Sequence, residues 1–128
     1  HVLVGKSFLI AEDNGINLDM LKELLKEEGA ACDCAKNGMA AVDLFRHSKK
    51  GQYDLIFMDV QMPDMDGYEA TRAIRQMKHP DAKDIPIVAM TANAFSNDVK
   101  AAFDCGMNAH LAKPVNIDRI KDIVANFT

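Results

Sequence analysis

The chain contains no apolar run approaching 18 residues, so nothing in it is long enough to cross a bilayer as a helix. It has no stretch with the charged, apolar and small-residue segments of a signal peptide. It lacks a basic excess: 19 acidic residues face 15 Lys and Arg, for a net charge of −4 and a pI near 5.5. That balance argues against contact with nucleic acid or with an anionic membrane, both of which call for a basic face. Repeats, low-complexity tracts and internal linkers are absent as well. Cysteine is scarce, with three in all, and Cys32 and Cys34 lie two apart. On a strand that spacing puts both on one face. A zinc site would need two more soft ligands, and no matching pair appears, so the cysteines read as small buried thiols of a reducing cytoplasm. The chain starts with His1 rather than Met, and it is expected to be excised from something longer.

What is present fits one globular domain over residues 1–128, with residues 1–5 expected as a leading linker. A chain of this size buries roughly two-thirds of its unfolded surface. Five short apolar runs stand out, at residues 8–11, 30–35, 55–58, 85–90 and 109–112. Between them the apolar residues recur at helical spacing. Ile16, Met20, Leu21, Leu24 and Leu25 form one stripe, and Ala41, Leu44 and Phe45 a second. Ala70, Ala73, Ile74 and Met77 form a third, Phe95, Val99, Ala102 and Phe103 a fourth, and Ile117, Ile120, Val124 and Phe127 a fifth. Gly29 and Gly106 sit where helices should stop. Asp66 with Glu69 has capping-box spacing, and Ser96 and Asn116 are candidate N-caps. Strand and helix therefore alternate five times, which predicts an α/β fold: a five-stranded parallel sheet covered by helices on both faces. In such open sheets ligands bind outside the carboxyl ends of the strands.

The stretch DLIFMDVQMPDMDGYEA (54–70) shows what stands there. An oily run ends abruptly in Asp59. Strand one ends in Glu12 and Asp13, strand four in Thr91 and Ala92, and strand five in Lys113 and Pro114. Three carboxylates, a hydroxyl and an ammonium thus collect at one sheet edge. Three uncompensated carboxylates would repel one another and take up protons. A divalent cation resolves the conflict, and all-oxygen ligands with few protein donors suit Mg²⁺, with Mn²⁺ as a substitute. A cation, a lysine and a hydroxyl together fit phosphoryl chemistry, with a carboxylate as nucleophile and an acyl phosphate as product. A carboxylate is ionised at neutral pH and needs no general base.

The segments IAEDN (10–14), LIFMDVQMPDMDG (55–67), IPIVAMTANAF (85–95) and GMNAHLAKPV (106–115) occur in the order and with the gaps that resemble the receiver domains of two-component response regulators. The resemblance spans nearly the whole chain and is closest to receivers fused to hybrid sensor histidine kinases. It implies a flavodoxin-like sheet of strand order 2-1-3-4-5. It implies that Asp59 accepts a phosphoryl group, that Asp13, Asp59 and the backbone carbonyl of Gln61 bind Mg²⁺, and that Glu12 holds a metal-bound water. It further implies that Thr91 and Lys113 contact the phosphoryl group, and that the Lys113–Pro114 bond is cis. Thr91 and the residue three before the lysine would form the switch. That residue is most often Tyr or Phe in the family and is His110 here, so a weaker, pH-dependent switch acting on Phe95 to Thr128 is expected. The implied partners are the phosphodonor domain of a histidine kinase, a histidine phosphotransfer domain, or both, with no nucleic acid and no direct membrane contact. The isolated domain is expected to be monomeric and cytoplasmic, or the cytoplasmic part of a membrane-anchored kinase. Such a domain catalyses its own aspartyl phosphorylation and slow dephosphorylation. A docking rim of Ile16, Met20, Met62 and Pro114 is expected, although Ile16 and Met20 also fit a core reading.

The plainer readings differ in force. Asp64 and Asp66 suit turn and cap roles better than ligation. His110 also fits an ordinary half-buried strand histidine. His47 and His79 suit helix ends, where a cation complements the dipole, and not a phosphodonor role. A stand-alone response regulator without an output domain is one alternative. An aspartate-based phosphatase is another, but it would want an acid two residues after the nucleophile, where Gln61 stands. A flavin carrier on the same fold would want a phosphate-binding loop after strand one, where EDNG would repel a phosphate.

Overall fold

The computed structural model describes residues 2–92 and 96–127, with the side chains of residues 96–98 outside that description. Phe95 and the cap role of Ser96 therefore lie outside the described residues. Five strands and five helices alternate: β1 Ser7–Ala11, α1 Gly15–Glu27, β2 Ala31–Ala35, α2 Gly38–Arg46, β3 Leu55–Asp59, α3 Gly67–Arg75, β4 Ile87–Thr91, α4 Ser96–Cys105, β5 Ala109–Ala112 and α5 Ile117–Asn126. All pairings are parallel and the strand order is β2-β1-β3-β4-β5.

Alternation along each strand divides the core in two. Phe8, Ile10, Leu55, Phe57, Val88, Met90 and Leu111 face one side, against Leu18, Leu21 and Leu25 of α1 and Ile120, Ile123 and Val124 of α5. Leu9, Ala11, Ile56, Met58, Ile87 and Ala89 face the other, against Phe45 of α2, Ile74 of α3 and Ala102 of α4. Phe8 and Phe57 meet edge to face with ring centroids 5.2 Å apart. Each large apolar side chain so buried stabilises the fold by about 1.5–3 kcal/mol. β3 is buried along its whole length, so its apolar run is continuous, whereas the edge strand β2 is half exposed and mixes Asp33 with its cysteines. Cys32 and Cys34 share the α1 side, all three cysteines are free thiols, and burial pushes Cys32 up to about 11.

Local chemistry sets the boundaries. Asn14, Asn37, Asp66 and Asn116 each cap a helix with the side-chain oxygen, and Asp66 with Glu69 closes the expected capping box. Gly29 ends α1 at φ +86° and Gly106 ends α4 at φ +111°, values costly for any other residue. The sequence run at 85–90 starts two residues before the strand does. Pro86 has no N–H for the ladder, although its carbonyl accepts from the Ile56 N–H at 2.9 Å. α3 stops at Arg75, so Met77 reaches the core from the turn beyond the helix. The stretch expected as a leading linker lies against the domain where it is described: Leu3 is 1% exposed in the core, and the Gly5 N–H donates to the Gly29 carbonyl at 3.0 Å. Among the described residues no helix is long and apolar enough to cross a membrane.

Candidate functional site

The alternation that buries Phe8 and Ile10 on the α1 and α5 side places Glu12 on that side one step past the end of β1. The same parity carries Leu55 and Phe57 on to Asp59, and Leu111 on to Lys113. β1, its neighbour β3, and β5 one strand beyond β4 thus deliver three ionisable groups to one corner. Lys113 Nζ lies 2.9 Å from Glu12 Oε1 and 3.1 Å from Asp59 Oδ1. Glu12 and Asp59 are each 2% exposed, whereas Asp13 stands open to solvent. One carboxylate oxygen from each of Glu12, Asp13 and Asp59 lies within 4.8 Å of the others.

Main-chain donors hold the two buried acids. The Gln61 N–H donates to Asp59 Oδ1 at 3.2 Å, and the Asn14 N–H donates to Glu12 Oε2 at 3.2 Å. One ammonium does not neutralise this group. Burial pushes the Asp59 carboxyl up to about 7, the nearby Glu12 carboxylate adds to the rise, and Lys113 opposes it. Burial acts on Glu12 the same way, but its hydrogen bonds to Asp59, Lys113 and the Asn14 N–H outweigh it and hold Glu12 below its ordinary value. Burial would lower the Lys113 ammonium, yet its two carboxylate partners raise it, so it stays charged. An all-oxygen donor set with excess negative charge and one solvent-facing acid is the chemistry of a hard divalent cation with an open side.

The structure brings the other expected residues to the same edge. Thr91 ends β4 with 5% exposure, and its carbonyl accepts from the Lys113 N–H at 2.8 Å. His110 pairs with Ala89 in the register of β4 and β5. It therefore shares with Thr91 the sheet face opposite Asp59, one pleat back, and is half-buried. The Lys113–Pro114 bond is cis. Asp64 occupies a turn at φ +67° and Asp66 caps α3, so neither joins the acidic cluster. His47 caps α2, with Nδ1 2.8 Å from the Asp43 carbonyl oxygen. Ile16 and Met20 are 74% and 56% exposed on α1, outside the core, and Met20 lines one pocket with exposed Pro114. Met62 is a correction to the expected rim: at 8% exposure it packs into the core.

Two contributors are not singled out by sequence pattern. Gly67 is one: a Cβ there would lie 2.2 Å from the Asp59 carbonyl oxygen, so the loop after β3 folds back onto the end of β3 only because that side chain is absent. The signal was the Gly closing MPDMDG. Asn14 is the other, through a main-chain contact that side-chain pattern does not reveal.

Comparison with known proteins agrees with this geometry. Residues 8–125 match the family described as response regulator receiver domain. The chain is 37% identical over 126 residues to hybrid signal transduction histidine kinase L of Dictyostelium discoideum, covering 98% of this chain and 7% of that protein. The curated relatives that it resembles include histidine kinases of plants, Dictyostelium and fission yeast, and it spans 6–15% of their length. The solved receiver domain of the sensor histidine kinase PA1611 of Pseudomonas aeruginosa, which has a magnesium ion coordinated in its active-site cleft, superposes with a TM-score of 0.85. It is 33% identical, covering 97% of this chain and 98% of that one. The receiver domain of Saccharomyces cerevisiae Ssk1, solved with the histidine phosphotransfer protein Ypd1, superposes with a TM-score of 0.82. It is 32% identical, covering 95% and 88% of the two chains.

Proposed function

The chain belongs to the response-regulator receiver family, and from that premise we propose that Asp59 takes a phosphoryl group from a phosphohistidine and that Lys113 and Thr91 position it. The observation that carries this is the corner where Glu12, Asp13 and Asp59 converge within 4.8 Å and Lys113 touches two of them. One Asp59 oxygen forms a P–O bond as the donor's P–N bond breaks, and the electron pair of that bond returns to the imidazole nitrogen. The product is an acyl phosphate, and transfer on to a phosphotransfer histidine is the reverse step. Lys113, already beside Asp59 Oδ1, follows the charge onto the phosphoryl oxygens, and the Thr91 hydroxyl donates to one of them. Asp13, Asp59 and the Gln61 carbonyl would hold Mg²⁺, with Mn²⁺ as a substitute, and Glu12 would hold a water beside it. The ion, when bound, supplies positive charge that neutralises the phosphoryl group. Thr91 and His110, on one sheet face, carry the change towards α4 and β5.

Incubation with acetyl phosphate and Mg²⁺ should add the mass of one phosphoryl group, shift the His110 ring resonances, and do neither in Asp59→Asn. Labelling of that variant at the wild-type level refutes the assignment.

The parent chain is read as a hybrid histidine kinase, and the partner as a helical histidine donor. The donor histidine must approach over Asp59 in line with the bond being made. Exposed Ile16 and Met20 lie on adjoining turns of α1, and Met20 lines one pocket with Pro114. Ile16→Asp should slow transfer from a phosphotransfer protein at least tenfold and leave acetyl phosphate labelling unchanged. Equal slowing of both would remove the docking role.

A further inference from the structure

Glu12 is long and flexible, yet both of its carboxylate oxygens are engaged: Oε1 by Lys113 at 2.9 Å and Oε2 by the Asn14 main-chain N–H at 3.2 Å. That N–H belongs to the N-cap residue of α1, which is extended at φ −85° and ψ 114°. The side chain of the same residue enforces that conformation, because Asn14 Oδ1 accepts from the Asn17 N–H at 3.0 Å. The Asn14 carbonyl accepts the first helical bond, from the Leu18 N–H at 2.9 Å. Asn14 thus joins the start of α1 to the orientation of a buried acid, and Asp13 is held between the two.

We propose that Asn14 is a positioning residue for the acidic cluster: by capping α1 it fixes its own N–H against Glu12 and so presets Glu12 and Asp13 for a divalent cation. This rests on the cation reading of the site above. Loss of the cap side chain frees residues 13 and 14 to move, so the residue-14 N–H no longer stays on Glu12 Oε2 and Glu12 is held only from the Lys113 and Asp59 side.

The test uses Asn37 as a control. It caps α2 in the same way, with Oδ1 accepting from the Ala40 N–H at 2.7 Å, and belongs to no part of the cluster. Mg²⁺ binding is measured by calorimetry on the full chain, with thermal melts and amide exchange at Asn14 alongside. Asn14→Ala should weaken Mg²⁺ binding roughly three- to tenfold and speed exchange of the residue-14 amide. Asn14→Ser, which keeps a capping oxygen, should restore both. Asn37→Ala should lower the melting temperature about as much as Asn14→Ala and leave Mg²⁺ binding unchanged. Wild-type Mg²⁺ affinity in Asn14→Ala, or equal weakening in Asn37→Ala, overturns the positioning role alone. A wild-type chain that binds no Mg²⁺ overturns the cation reading and this inference with it.

Discussion

The two edges of the sheet are built on opposite terms. At the carboxyl ends of the strands, two buried acids and an exposed one crowd a single lysine. At the amino ends, polar groups are matched. Arg75 donates to the Gly106 carbonyl through Nε at 3.0 Å and Nη2 at 2.8 Å, to the Ala82 carbonyl at 3.0 Å and to Asn108 Oδ1 at 2.8 Å. His79 stacks on Phe45, accepts the Asp81 N–H at Nδ1, and is thereby left to donate from Nε2 to the Ser48 carbonyl at 2.8 Å. Asp54 accepts the Ser7 N–H and Asp81 the Gly51 N–H. One edge satisfies its polar groups within the chain, as folded proteins generally do. The other leaves negative charge for something else to answer. Local conflict of that kind is what a functional edge looks like against a structural one.

The comparison can be broken at its stable side first. Arg75→Ala strips donors from three acceptors in the α3–β4 and α4–β5 connections and should cost about 3 kcal/mol. Lysine should recover little of it, since a point charge does not reproduce the planar fork. Denaturant unfolding reads the loss, and labelling by acetyl phosphate should persist. Loss of labelling in a folded Arg75→Ala would show that the two edges are not separable.

The pH dependence of the metal-free chain is the next largest effect. Asp59 is raised from an ordinary carboxylate value to about 7, so the folded state holds its proton more tightly than the unfolded state does. Its contribution is full below about 4 and is lost as pH rises through 7. The expected fall in stability between pH 4 and pH 8 is on the order of 2 kcal/mol, less than an isolated carboxyl would give because Glu12 shifts the other way. With metal chelated, Asp59→Asn should lack this descent. A variant whose pH profile runs parallel to wild type would dismiss Asp59 as its source.

Asp13→Ala sharpens the contrast at smaller scale. It relieves repulsion and should stabilise the metal-free chain by about 0.5–1 kcal/mol, while lowering Mg²⁺ affinity at least tenfold. An unchanged titration would exclude Asp13 as a ligand.

How legible this was in sequence follows the same division. The acidic edge was open to reading because its residues follow apolar runs directly: Glu12, Asp59 and Thr91 stand at strand ends whatever the details of packing. The capping box at Asp66 and the stops at Gly29 and Gly106 were legible because each acts within a few residues. Arg75 was not, since its acceptors lie 7 to 33 residues away and converge only in the fold. Met62 was misplaced on the rim because its position in the loop gave no sign that the chain turns back at Gly67. Phe103, counted in an apolar stripe, is 51% exposed, since helical period locates a face without saying whether anything covers it.

β1 comes first in the chain yet lies inside the sheet, between β2 and β3. During synthesis the strands bearing Glu12, Asp13 and Asp59 leave the ribosome before the one that precedes Lys113. At translation rates of about 5–20 residues per second, the 54 residues from Asp59 to Lys113 take roughly 3–10 s to appear. Over that interval the nascent chain carries these acids without Lys113, the cation that pairs with two of them in the fold. The chain's own counter-charge arrives with the final strand, so the order of synthesis makes the neutralisation of this corner a late event in the birth of the molecule.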